Sequence, residues 1–270
     1  MTDNPGKQLA TGLGRAFGGA LIFSLPVLMT MEMWDLGFAM ERWRLVSLLL
    51  ASLPLLMFLS HYSGFESTWG WKEDARDVAI ACGIGLIVAG LVLALFAVVD
   101  LDTGPSDLAG KIAIQMIPAA LGALLGRSQF GKEGKESDKD ETLVGELGIM
   151  AVGALFLCLN VAPTEEMVLI AYMMSPWHSL ALVPVTLLVM HGFVYATEFT
   201  DDGGLPRGTP WWSAFIRYSV TGYVVSLLVA AFLLWTFGQF DGMDWVQALR
   251  ISVVLGMPAA IGAAAARLIL

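Results

Sequence analysis

Apolar residues run along this chain in eight blocks, each closed by charged, Pro, Gly or Trp residues. The blocks lie at about 16–34, 45–62, 78–99, 108–126, 145–161, 179–197, 213–237 and 247–267. Because ~20 such residues cross the hydrocarbon core of a bilayer as a helix, each block predicts one membrane span. The longest polar stretch, 127-RSQFGKEGKESDKDET-142, predicts a solvated linker. Residues 1–15 are short and polar, and no small-residue cleavage site follows the first block, so that block predicts a retained helix rather than a signal peptide. The pattern describes an all-α polytopic membrane bundle. A first four-helix repeat is expected over 1–127, a charged cytoplasmic linker over 128–144, and a second four-helix repeat over 145–270.

Composition agrees with this class. Residues of the set AVILMFWYC make up 57% of the 270, charged residues 14%, and mean hydropathy is +0.71; a soluble domain carries roughly 25% charged residues. The basic residues orient the chain. With eight spans, eleven Lys and Arg fall on the termini and even-numbered loops and four on the odd-numbered loops, which places both termini in the cytoplasm. Ten of the 24 acids fall on the outer side, leaving a net −6 there and −3 inside. An acidic outer mouth concentrates cations, although loops also need charge simply to stay soluble. The chain is acidic overall with no basic patch, which excludes nucleic acid as a partner.

The chain is also written twice. At an offset of 134, 19-GALIFSLPVLMTMEM-33 and 153-GALFLCLNVAPTEEM-167 share eight of fifteen residues, where apolar bias alone gives roughly one or two. The same offset pairs Trp43 with Trp177 and Phe65 with Phe199. At an offset of 140, 117-IPAALGALLGR-127 and 257-MPAAIGAAAAR-267 share six of eleven. Four spans per half is an even number, so the halves enter the membrane in the same sense, related by a pseudo-twofold axis along its normal. Inverted repeats require a miscounted or re-entrant segment in each half.

The duplication singles out residues. Thr164-Glu165-Glu166-Met167 repeats Thr30-Met31-Glu32-Met33, so Glu32 and Glu166 are the shared acids, and Thr30 and Thr164 the shared hydroxyls. Two carboxylates converging near an axis could bind a cation or exchange protons, and one of such a pair is raised in pKa. The alternative is that both acids end helices and reach for water. Pro163 predicts a break after span five, because it lacks an N–H and disfavours helix at Ala162. Carbonyls freed there, with Asn160, Glu165 and Glu166, form the oxygen set that hard cations prefer, which makes Glu165 and Glu166 the candidate metal ligands. Equally, Pro163 and the acids could open a new helix. The segments 32–40 and 165–174 read as half-buried turns leading into spans two and six.

His191 falls midway through span six, as a proton-relay partner or as a neutral imidazole bonded to the backbone. Pro118 and Pro258 are an equivalent pair in spans four and eight, followed by small residues four apart; they predict kinked, closely packed helices or a hinge. Trp34, Trp43, Trp177, Trp211 and Trp212 read as interfacial anchors. Cys82 and Cys158 fall within spans as small apolar residues, and no CxxC, HExxH, GxSxG or Walker motif occurs, so neither an enzyme nor a cofactor is expected.

The pairing of TMEMWDLG (30–37) with NVAPTEEM (160–167) resembles an uncharacterised family of bacterial integral membrane proteins of eight-span type, over nearly the whole chain. The resemblance implies the bacterial inner membrane and a second small membrane protein as neighbour, but no activity. The expected function is a cation, or proton-coupled cation, transporter or channel. The alternative is a non-transporting scaffold or subunit of a membrane complex. Expected partners are the lipid bilayer, a cation ligand, and either a second copy of the chain or that small membrane protein.

Overall fold

The computed structural model describes residues 5–63, 70–100, 102–130, 143–198 and 211–269. Phe65, Phe199 and residues 131–142 of the expected linker lie outside them. All regular elements among the described residues are helices. They are α1 (Pro5–Leu28), α2 (Met31–Ala39), α3 (Arg42–Ser63), α4 (Trp71–Leu95), α5 (Pro105–Phe130), α6 (Leu143–Val161), α7 (Glu166–Met173), α8 (Pro176–Glu198), α9 (Trp211–Ala214), a π-helical turn (Phe215–Val220), α10 (Thr221–Thr236) and α11 (Trp245–Ile269). Eight helical stretches are long and apolar enough to cross a membrane, one for each block in the sequence.

The helix limits differ from the pattern at α1, α4 and α5. The first block reaches residue 34, yet α1 ends at Leu28 and α2 is a separate helix. The cause is polar: Thr30 is extended (φ −91°, ψ 117°), and its hydroxyl donates to the Pro26 carbonyl at 2.7 Å. The third block is shifted, since α4 starts at Trp71 and stops at Leu95, where Ala97 takes φ +55° and Val98 N–H donates to Leu93 O at 2.9 Å. This is a left-handed C-terminal stop. The same stop ends α10, with Gly238 at φ +76° and Gln239 N–H on Leu234 O at 2.8 Å. Finally, α5 continues to Phe130, so residues 128–130 of the expected linker are helical.

The chain divides into two compact units, Met1–Asp140 and Glu141–Leu270. In the first, α5 packs against α1, α2, α3 and α4; in the second, α11 packs against α6, α7, α8 and α10. These two are the central helices. Of their most apolar stretches 61% is buried, against 33% for α3 and 11% for α8. The remaining apolar faces are exposed, as suits helices in lipid.

Small residues set a close helix crossing in each unit. A Cβ on Gly19 would stand 2.3 Å from the Gly122 carbonyl oxygen and 2.4 Å from Gly126 Cα. In the second unit a Cβ on Gly153 would stand 2.1 Å from Gly262 O and 2.5 Å from Ala266 Cβ. Backbone meets backbone at both crossings, which only missing side chains permit. Pro118 and Pro258 lie inside these central helices, which continue past them.

Candidate functional site

The second unit builds its acidic end from a helix stop and a helix start. After α6 ends at Val161, the C-terminal carbonyls need donors. Ala162 N–H reaches Cys158 O at 2.7 Å, Thr164 N–H reaches Val161 O at 3.1 Å, and the Thr164 hydroxyl reaches the same oxygen at 2.9 Å. Asn160 Nδ2 donates to Phe156 O at 2.7 Å. Pro163, which offers no donor, is buried in the turn. α6 ends two residues before Pro163, and α7 opens three residues after it, with Glu165 at its N-cap and Glu166 in its first turn, so Pro163 stands in the turn between the two helices rather than in the first turn of α7. Of the carbonyls that end α6, those of Cys158 and Val161 differ from expectation, because the chain's own donors occupy them.

Glu165 and Glu166 are both exposed. With Val168, Leu169 and Tyr172 of α7, and Gln239 and Met243 from the α10–α11 connection, they line an open depression of about 480 Å³. The Thr164 hydroxyl, for whose single proton the Val161 carbonyl and the Glu166 carboxylate compete, and then the backbone N–H of Glu166, hold the Glu166 carboxyl below its ordinary value. This corrects the expected rise: a solvated carboxylate receiving hydrogen bonds is stabilised in its charged form. The sign follows. A lowered folded-state value favours folding above the unfolded value, and that contribution is lost as pH falls through the folded one. Thr164→Val should shift the Glu166 titration upward, read from the side-chain carboxyl carbon by NMR. An unmoved titration would remove the hydroxyl as the cause.

The first unit closes its corresponding corner differently. Thr30 N–H and Gln115 Nε2 both reach Val27 O, at 3.1 and 3.4 Å, and Trp34 Nε1 donates to Leu28 O at 2.8 Å. Trp34 thus caps α1, a role beyond the interfacial anchor expected of it. Glu32 is half-buried in the first turn of α2. Thr30 and Thr164, expected as paired site hydroxyls, each donate to a carbonyl of the helix just ended.

His191 does not join the acids. It lies fifteen residues beyond Pro176 on α8, roughly 22 Å of helical rise. Its Nδ1 is 3.0 Å from the hydroxyl of buried Ser219, and its ring meets Phe215 edge-on at 5.1 Å. Both partners stand on the π-helical turn.

Among the described residues no group of three or more His, Cys, Asp or Glu side chains is placed to hold a metal ion. Magnitude decides what Glu165 and Glu166 can do. At 4 Å in water a unit charge attracts another by about 1 kcal/mol, several-fold less than in a dehydrated site. As built, the pair suits a mouth that gathers cations better than a cage that strips their water.

Other polar residues escaped the sequence reading. Asp77 and Glu146 are buried, each about where a predicted span begins, and Gln115 is wholly buried within span four. A polar residue inside an apolar block was the available signal. Arg42 had no such signal: its Nη1 donates to Gly37 O at 3.0 Å, while Nη2 donates to Ser106 O and Oγ at 3.1 Å each.

The family model described as "Putative integral membrane protein (DUF2391)" matches residues 12–270. No curated protein and no solved structure matches the chain.

Proposed function

We propose that this chain, which belongs to the DUF2391 family of integral membrane proteins, carries cations across a membrane as a transporter or channel, with Glu165 and Glu166 forming an acidic mouth. The observation that carries the reading is the open depression that these two residues help to line, between the end of α6 and the start of α7. In this reading the two units descend from one duplicated four-span ancestor. The chain sits in a bacterial inner membrane with both termini cytoplasmic, following its basic residues. The depression then faces outward, where surface charge raises the local cation concentration.

The test is flux in liposomes against a panel of cations, with chloride as the anion control. Wild type should pass at least one cation above the rate of empty liposomes. Glu165→Gln/Glu166→Gln should slow it several-fold at low ionic strength, with the difference closing at high salt as the field is screened. Glu32→Gln should slow it less. Absence of cation flux, or a double variant as fast as wild type at low salt, would defeat the proposal.

One observation favours a second reading, a scaffold without transport. Thr164 and the first turn of α7 bond Glu166 as they would any helix-opening acid. That reading expects no flux for any ion while the protein remains folded.

A further inference from the structure

Two arginines of the second unit converge on one tyrosine. Tyr218 is buried in the π-helical turn; the Arg267 guanidinium carbon lies 3.9 Å from its ring centroid and that of Arg217 lies 5.5 Å away. Arg217 is the third residue of the span Phe215–Thr236, and Arg267 is the last of the span Trp245–Arg267. Both therefore stand at the same end of antiparallel neighbours α10 and α11, at the level where lipid headgroups begin.

No ion pair among the described residues answers their charge. Nη1 of Arg267 is buried without a hydrogen-bond acceptor. The face of an aromatic ring attracts a cation but accepts none of the guanidinium's in-plane N–H groups. Two like charges held on one ring, with donors left over, call for an anion. A phosphate suits them, since its oxygens match the planar fork of arginine in two-point contact.

We infer that Arg217 and Arg267 form a binding site for the phosphate of an anionic lipid. Exposed apolar side chains near Arg217 select the lipid over a soluble phosphate. Ile216, next to Arg217, is 55% exposed and Trp212, five residues before it, is 56% exposed, offering an acyl chain a surface that inorganic phosphate cannot use. Basic pockets between membrane helices are a recurrent way to hold such headgroups. By the distribution of Lys and Arg this end faces the cytoplasm, where the bound lipid would tie α10 to α11.

The experiment uses the full chain in neutral detergent, adding phosphatidylglycerol, phosphatidylcholine or inorganic phosphate. Phosphatidylglycerol should raise the thermal midpoint and remain bound through delipidation, by native mass spectrometry, in preference to phosphatidylcholine. Arg217→Gln/Arg267→Gln should weaken its binding at least about tenfold. Arg217→Lys/Arg267→Lys should retain part of it, and Arg250→Gln, towards the other end of α11, should leave it unchanged. The wild-type comparison of the two lipids stands even if the glutamine variant fails to fold. Equal retention of both lipids, or wild-type binding by a folded glutamine variant, would overturn the site. A full shift produced by millimolar inorganic phosphate alone would overturn its assignment to lipid.

Discussion

Gly153→Val should abolish folded protein, and Gly153→Ala should cost about 1–3 kcal/mol, the usual range for overpacking a core. The added Cβ would stand 2.1 Å from Gly262 O and 2.5 Å from Ala266 Cβ. Because the first obstacle is backbone, no rotamer change relieves the clash, and α6 and α11 must separate along their whole contact. A valine there belongs with the rare changes costing more than about 4 kcal/mol. Gly19→Val should do the same to α1 and α5, where the obstacles are Gly122 O at 2.3 Å and Gly126 Cα at 2.4 Å. The control is next door: a Cβ on Gly18 meets nothing within 4 Å, so Gly18→Ala should be neutral or slightly stabilising. Size-exclusion profiles and thermal midpoints in detergent measure all four. Wild-type behaviour of Gly153→Val would mean that α6 and α11 do not cross as described.

Arg42→Ala should loosen α2 while leaving α7 untouched. Its guanidinium ties the C-terminal turn of α2 to the start of α5 through Gly37 O, Ser106 O and Ser106 Oγ. Charged hydrogen bonds contribute about 1.5–3 kcal/mol each when buried; Arg42 and Ser106 are exposed, so the three together are worth about 2 kcal/mol. Gly110→Ala should have a similar or larger effect, since its Cβ would stand 2.0 Å from Gly37 O and 2.4 Å from Arg42 Nη1. Arg42→Lys should recover little, because one ammonium cannot span both acceptor sets. The readout is hydrogen exchange: amides of 31–39 should exchange faster and those of 166–173 should not change. The aligned position in the second half is Pro176, which has no such donor. Equal exchange in 31–39 before and after substitution would show that Arg42 is not the tie.

Where sequence and structure agree, the determinant is local. Each apolar block became a membrane-length helix because length and hydropathy suffice for that. The short helices α2 and α7 were legible as turns carrying acids, and Pro163 marked the stop between α6 and α7. Small residues at Gly122 and Gly126, and at Gly262 and Ala266, announced close helix approach, and both units have it. The candidate site was legible only in part. Glu165 and Glu166 stand at a helix break as read, but in water, with Thr164 and Asn160 bonded to carbonyls expected to face a cation.

By itself, the sequence determined the class of the protein, the number of its candidate spans, their approximate limits and the internal repetition of their residues. All of these depend on composition within a window or on identity at a fixed offset. Tertiary structure alone decided that α5 and α11 are central, that Trp34 closes α1, that His191 meets Ser219, and that Arg217 and Arg267 share Tyr218. Each of these depends on how a helix is rotated about its axis. A helix apolar on every face carries no stripe to reveal that rotation. Lipid is as apolar as a helix neighbour, so only the fit of side chains against backbone selects the face that packs.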